Sequence, residues 1–573
     1  MLFLKQLIIF LILISIIAFI DCVYIGTATI GIDDGNIFLN YAQHIAHEQG
    51  FVFNTNGEKV EGFTSLLWVL ICAAAYLITA HPELLLICFS LLLTSATVTI
   101  VYMSIRNDIE KLYPDFSKTF FWIYCAFIIT IGPSFIAWSV LSLMENALWN
   151  FIFISLAILV SATVEHNNVS VRKRTAIVIL GCLLVLTRPE ALVWNLVFTT
   201  ILLYTFIQSK RKILYPILYL LCVAVTTIGL TLFRVHYFGF GFPNTYYAKV
   251  SPDRIYNLSE GIKYALSFIS GYQPVITLLF ILMITISLYG FGKLKLLNRI
   301  DKASPDNLII ERCSIITIII LVGFVLPFST GGDHFGGFRF YQHMLPLFAW
   351  GILMIMWLIK NWNNYKPDIR AIVFCILIMS FIVIGSNDLI ELKNPAKTQL
   401  NFEFLLAQQG RDLAEKLNET FPSDKPSVGM IAVGGFGLKY QGVTVDLMGL
   451  NNILMGHSAG DRKGIKGHAA FNKEVFYKLK PDILLPEAIE SLKQATIKYF
   501  NLLDTNNFDN QAMKNIFNDD AFQKLYSPVF INDKKNNTGY FVFAGVDFIN
   551  HIKNDSMLSV QEIILKREKL NLD

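Results

Sequence analysis

Apolar stretches long enough to cross a bilayer recur along most of this chain, and they constrain its fold more than any other feature. The first runs from Leu2 to about Tyr24, and about 22 residues at ~1.5 Å each cover the roughly 30 Å hydrocarbon core. Others lie near 64–80, 83–104, 119–138, 143–163, 175–188, 190–208, 213–234, 274–292, 309–328, 343–360 and 370–388. Soluble domains carry roughly a quarter charged residues, whereas this chain of 573 residues carries 16%, with 54% hydrophobic. The class expected is an α-helical polytopic membrane protein, with the lipid bilayer as its first partner. A net charge of +4, spread along the chain, excludes a nucleic-acid-binding footprint.

The N-terminal stretch has a basic start at Lys5 but no small-residue cleavage site, since Phe19, Ile20, Asp21 and Cys22 stand where one would fall. It therefore reads as an uncleaved span. Basic loops stay cytoplasmic, which places Lys5, Arg172 to Arg174, Lys210 to Lys212, Lys293 to Lys302 and Lys360 to Arg370 inside. The segments 26–63, 236–272 and 329–342 then face outward, as does everything after about residue 390. One crossing per stretch would return the C-terminus to the inside, against these charges. One candidate between residues 64 and 163 is expected to be re-entrant, interfacial or merged, leaving about 11 transmembrane helices.

Past residue 390 the composition changes. An amphipathic helix from Phe402 to Leu417 precedes a strand-like VGMIAV, a GGFG turn at Gly434 to Gly437, and VTVDLMGL. PDILLP follows, then SPVFIN and GYFVFAGV joined by the polar turn DKKNNTG. The expected division is a membrane domain over 1–389 and a soluble outer α/β domain over 390–573. All eight cysteines lie in or beside apolar segments, none after Cys375, and no CxxC pair occurs. They read as buried small hydrophobes rather than a disulfide framework or a zinc site.

The first outer loop opens with GIDDGNIFLNYAQHIAHEQG. Ile37, Phe38, Tyr41 and Ile45 predict an amphipathic helix from about Gly35 to Glu48, closed by Gly50. Asp33 or Asp34 suits its N-cap. A cap uses only one of the two acids, so the second is an unneeded like charge unless it has other work. Next comes FVFNTNGEKVEGFTSLLW, with a turn at Asn56-Gly57 and Glu61-Gly62 leading into a span.

Six ordered blocks between residues 33 and 346 carry a resemblance: DDGNIFLNYAQHIAHEQGFVFN, VEGFTSLLW, WSVLSLMENALW, LTRPEA, FRVHYFGFGFPNTYYAK and GGDHFGGFRFYQHMLP. A weaker trace, VDLMGL followed by Gly467-His468, extends it into the outer domain. The sequence resembles the GT-C glycosyltransferases, polytopic enzymes with a polyprenyl-phosphate sugar donor. It is most similar to the bacterial arabinofuranosyltransferases of the mycobacterial terminal β-(1→2) type.

That resemblance implies transfer of a single sugar to an envelope glycan or glycolipid at the outer, periplasmic face of the cytoplasmic (inner) membrane. It implies an aspartate in the first outer loop that accepts the proton of the acceptor hydroxyl as it attacks the anomeric carbon. The role falls on Asp33 or Asp34, with Asp33 narrowly preferred. The leaving polyprenyl phosphate calls for cations, for which Lys249, Arg339, Arg188 and Arg234 are candidates.

Taken alone, Lys249 and Arg339 fit charges snorkelling to headgroups as well as phosphate ligands. Arg188 and Glu190 flank a proline and fit a mutual ion pair. Asp333 and His334 sit in GGDHFGG, whose glycines permit close backbone approach. Glu145 lies beside an apolar run, and Tyr246 and Tyr247 suit either a sugar face or an aromatic belt. Glu61, Glu145, Glu190, Tyr246, Tyr247, Asp333 and His334 make up the substrate-binding candidates.

His44, His47, Glu48, His334 and His343 leave a divalent metal open, although helical histidine pairs are more often polar-face residues; no metal ligand is assigned. The alternative function is a transporter or flippase of lipid-linked sugars, which would favour mid-bilayer ionisable groups and repeated halves. A structural or assembly factor would not need clustered acids and cations.

Overall fold

The computed structural model describes residues 1–112, 116–164, 169–271, 274–296, 304–361 and 399–563. The expected stretch 370–388, the 389/390 boundary, Cys375 and parts of two basic clusters lie outside these residues. The chain divides into two compact units. One comprises Met1–Ile32, Thr64–His236 and Arg254–Phe404, and the other Asp33–Phe63, Tyr237–Asp253 and Leu405–Asp573. Two segments from the N-terminal half, 33–63 and 237–253, thus group with the C-terminal residues rather than with the apolar helices.

The first unit is helical. Among the described residues, seven helices are long and apolar enough to cross a membrane: Leu2–Ile25, Glu83–Leu112, Asn146–Val164, Ala191–Gln208, Leu214–Phe238, Asp306–Ser329 and Arg339–Leu358. The pair Lys118–Gly132 and Ser134–Leu141, bent by 70°, is a broken span or a re-entrant loop and brings the number to eight if counted as one span; two shorter apolar helices are Leu66–Tyr76 and Ile276–Gly290. The bent pair falls between residues 64 and 163, where an irregular crossing was expected. Pro133 stands at the break and cannot donate the helical hydrogen bond there. A π turn over Ala137–Leu141 follows, and Leu143 adopts the left-handed region at φ 58.

Three of these helices are tied by a buried ion pair. Arg312 Nη1 donates to Asp108 Oδ2 at 2.7 Å, and its guanidinium also reaches the hydroxyls of Ser104 and Ser161. Such a pair repays its desolvation only because these bonds satisfy it.

The second unit is built on a six-stranded mixed sheet of order β2-β1-β3-β5-β4-β6. Its strands are β1 Val428–Met430, β2 Thr444–Asp446, β3 Ile483–Ile489, β4 Tyr526–Asp533, β5 Thr538–Gly545 and β6 Leu558–Glu562. β1 pairs in parallel with β2 and β3, and the remaining pairs are antiparallel. Side chains alternate between faces along a strand. Phe541 and Phe543 therefore join one core with Phe476, Phe517 and Phe522, while Tyr540, Val542 and Ala544 join another with Ala414 and Leu417. The helix Gln399–Thr420 supplies the last two. Strands β1, β4 and β5 match the strand-like segments expected, β2 and β3 fall within VTVDLMGL and PDILLP, and β6 was not anticipated.

Two local expectations are corrected. The loop helix runs Asp33–Ala46, two residues earlier than expected at each end, so both acids lie in its first turn and neither is its N-cap. The chain leaves the helix through Glu48 at φ 61 and Gly50 at φ 83. GGFG is not a bare turn but the start of a helix, Gly434–Lys439. Its glycines are required by close backbone approach. A Cβ on Gly434 would meet the carbonyl oxygen of Asp33 at 1.8 Å, and one on Gly435 that of Ala407 at 2.1 Å.

Candidate functional site

In the sheet-bearing unit, the first turn of the helix Asp33–Ala46 meets that glycine helix. Both Asp33 oxygens accept backbone N–H bonds, Oδ2 from Gly434 at 3.0 Å and Oδ1 from Gly435 at 2.8 Å. The carboxyl therefore caps a helix from another part of the chain. Burial pushes its pKa up to about 6, with the two amides pulling down and the carboxylates of Asp34 and Asp446 pushing up.

Asp34 points elsewhere. Its side chain is part-exposed, and Oδ2 accepts from Lys249 Nζ at 3.3 Å. Lys249 ends the short helix Asn244–Lys249, which also carries Tyr246 and Tyr247. Tyr246 is exposed, and the two rings meet edge to face at 5.6 Å. Tyr247 packs against His457 at 4.1 Å, and Phe240 stacks on the same imidazole at 3.9 Å.

Residues that sequence reasoning did not single out hold this helix. The Asn244 side chain donates to the carbonyls of Gly449, Leu450 and Asn452, and its backbone N–H donates to the carbonyl of Glu61. The Glu61 side chain is buried. Arg462 donates to the carbonyls of Tyr247, Gly456 and Ser458. Asp446, at the end of β2, accepts backbone N–H bonds from Met448, Gly449 and Asn451 and a side-chain bond from Asn451. Its pKa is raised by burial against those four bonds. The available signals were slight: an acid closing a strand before MGL, and an asparagine directly after Pro243.

The histidine pair does not form a ligand set. His44 Nδ1 lies 2.9 Å from the carbonyl oxygen of Val52, and His47 Nδ1 lies 2.7 Å from that of Gln43. Among the described residues, no group of three or more His, Cys, Asp or Glu is placed to hold a metal ion.

The helical unit gathers the other candidates. Arg339 Nε donates to Asp333 Oδ2 at 2.7 Å, and both side chains are buried. Asp333 Oδ1 accepts the backbone N–H of His334 at 2.9 Å, and the imidazole lies over Phe335 at 4.0 Å. The GGDHFGG loop supporting them needs Gly332, at φ 73, where a Cβ would strike Tyr264 at 2.5 Å.

Arg188 lies between two acids, with Nε 3.5 Å from Glu145 and Nη2 3.5 Å from Glu190. Its guanidinium is 5.4 Å from the centre of the Phe340 ring, and that of Arg339 is 5.3 Å from the same centre. The two arginines picked out as phosphate ligands thus share one aromatic ring, with Glu145, Glu190 and Asp333 as counter-ions. Arg234 is buried on the helix Leu214–Phe238. His343 lies among Trp149, Phe153 and Trp194.

Fold and site together define a helical chain with several candidate membrane spans and a C-terminal mixed sheet. No protein-family model matches it, and neither does any curated protein. Among solved structures it is similar to the oligosaccharyltransferase of Archaeoglobus fulgidus in its apo form. That similarity has 12% identity, 94% of this chain and 74% of that chain covered, and a TM-score of 0.46. The archaeal oligosaccharyltransferase AglB from the same organism, in complex with an inhibitory peptide and a dolichol-phosphate, gives 11% identity, 93% and 74% coverage and 0.43. The A. fulgidus enzyme complexed with Zn and sulfate gives 11%, 93% and 73%, and 0.41. Similarities this low assign neither a family nor an activity.

Proposed function

We propose that this chain is a GT-C-type membrane glycosyltransferase. It transfers a single sugar from a polyprenyl-phosphate donor to an envelope glycan or glycolipid at the outer face of the cytoplasmic membrane. The observation that carries this reading is the Asp34–Lys249 pair beside the backbone-clamped Asp33. A general base must reach the acceptor hydroxyl. Asp33 has both oxygens committed to amides, whereas Asp34 is part-exposed, which supports Asp34 as the reacting carboxylate and Asp33 as its anchor. Lys249 then offers positive charge to the leaving phosphate.

Arg188 and Arg339, flanking Phe340, supply a second cationic locus suited to a lipid phosphate. Glu61, Glu145, Glu190, Tyr246, Tyr247, Asp333 and His334 line or support the substrate sites.

A transfer assay with purified full-length protein and radiolabelled polyprenyl-phosphate sugars tests this. Asp34→Asn is expected to abolish transfer. Lys249→Ala should lower it at least tenfold while changing stability by under ~1 kcal/mol, as for other part-exposed ion pairs. Full transfer by Asp34→Asn would remove the assigned base.

A further inference from the structure

Beyond the residues assigned so far, the helical unit buries a second set of polar groups. Asn146 is 2% exposed and His343 5%. Among the described residues, neither amide atom of Asn146 nor Nε2 of His343 has a hydrogen-bond partner, and the indole N–H of Trp149 has none either. Asn146 and Trp149 lie one turn apart on the helix Asn146–Ser161, and His343 lies on the 3-10 stretch Arg339–Ala349. The Trp149 and His343 rings meet edge to face at 5.9 Å. Arg188 sits 5.7 Å from the Trp149 ring, which joins the set to Glu145, whose carboxylate oxygens accept no hydrogen bond among the described residues.

Buried polar atoms cost free energy unless paired, and native proteins leave few of them orphaned. The mixture here is informative. An amide NH2, an indole N–H and a guanidinium Nε–H are donors. An amide oxygen and a carboxylate are acceptors, and an imidazole nitrogen serves as either by tautomer. An anion would satisfy the donors and repel the acceptors, and a cation would do the reverse. Each hydroxyl of a sugar both donates and accepts, and its C–H face packs on an aromatic ring.

We propose that Asn146, Trp149 and His343 form the subsite that reads the hydroxyls of the glycosyl unit carried by the lipid donor. The inference rests on the glycosyltransferase reading above, in which Arg188, in contact with this set, binds the donor phosphate.

The test uses full-length protein and two readouts. In the first, affinity is measured for undecaprenyl phosphate and for the same lipid carrying glucose, mannose or arabinofuranose. At least one sugar-bearing lipid should bind about tenfold or more tighter than the bare lipid. Asn146→Leu, His343→Leu and Trp149→Phe should each cut that preference severalfold while leaving affinity for the bare lipid unchanged. Equal binding of all the lipids would overturn the subsite and leave the donor reading standing. Failure of the bare lipid to bind at all would overturn that donor reading.

The second readout is thermal unfolding without ligand, which does not depend on sugar identity. Replacing an orphaned polar group by an apolar one of similar size should raise Tm, by roughly 2–4 °C, in Asn146→Leu and His343→Leu. A fall in Tm for both would make the groups structural and overturn the proposal.

Discussion

Asp33 holds the backbone N–H of Gly435 at 2.8 Å across 402 positions of sequence. The contact fixes the first turn of the loop helix Asp33–Ala46 against the glycine helix Gly434–Lys439. Removing the carboxyl would orphan two buried amides. Asp33→Ala is expected to destabilise the sheet-bearing unit by roughly 2–5 kcal/mol. Asp34→Asn, at a part-exposed pair, should change stability by under ~1 kcal/mol. Denaturant titration of the two variants checks the contrast.

The titration of Asp33 predicts a pH dependence. Its carboxyl is held at about 6 in the fold against an ordinary 3.8, so the folded state binds the extra proton between these values. The associated stability is present below about pH 4 and lost as pH rises through about 6, on the order of 3 kcal/mol in all. Burial lowers the pKa of His44 and His457 and gives slopes of opposite sign. The quantity to measure is therefore the difference in Tm between wild type and Asp33→Asn from pH 4 to 7. Wild type should lose ground to the variant as pH rises.

Gly435→Ala should be more damaging than most glycine substitutions. The added methyl would sit 2.1 Å from the Ala407 carbonyl oxygen, a backbone atom that cannot swing aside. A loss of about 3 kcal/mol is expected, at the upper end of what overpacked sites typically cost. Limited proteolysis should show residues 405–563 cut sooner in this variant.

Arg339 and Asp333 form a buried pair, so removing one partner leaves a buried charge uncompensated. Arg339→Ala should cost roughly 3–5 kcal/mol, and Arg339→Ala with Asp333→Ala less than the sum of the single changes. A double-mutant cycle by thermal unfolding measures the coupling.

The sequence made some of this legible for physical reasons. SPVFIN and GYFVFAGV are short apolar runs rich in β-branched and aromatic residues, and the polar DKKNNTG turn between them sets a hairpin, so β4 and β5 were plain. The sequence pointed to both acids of the first loop but not to the different partners they take. The partners that distinguish Asp33 from Asp34 are Gly434, Gly435 and Lys249, all distant in sequence. GGFG looked like a turn because its helical state depends on Asp33 and Ala407 leaving no room for side chains. Asn244 and Arg462 act through backbone carbonyls, which carry no sequence signature. Asn146 was hidden by apolar neighbours that read as ordinary membrane helix, and His343 stood out only as a histidine that left a metal open.

The most direct test of the central claim is mass spectrometry of polyprenyl-phosphate sugars in cells carrying the wild-type chain, a deletion, or Asp34→Asn. A glycosyltransferase consuming such a donor predicts that one lipid-linked sugar accumulates in both altered strains while its sugar is depleted from the envelope glycans. An unchanged lipid pool and unchanged glycans in both strains would contradict it.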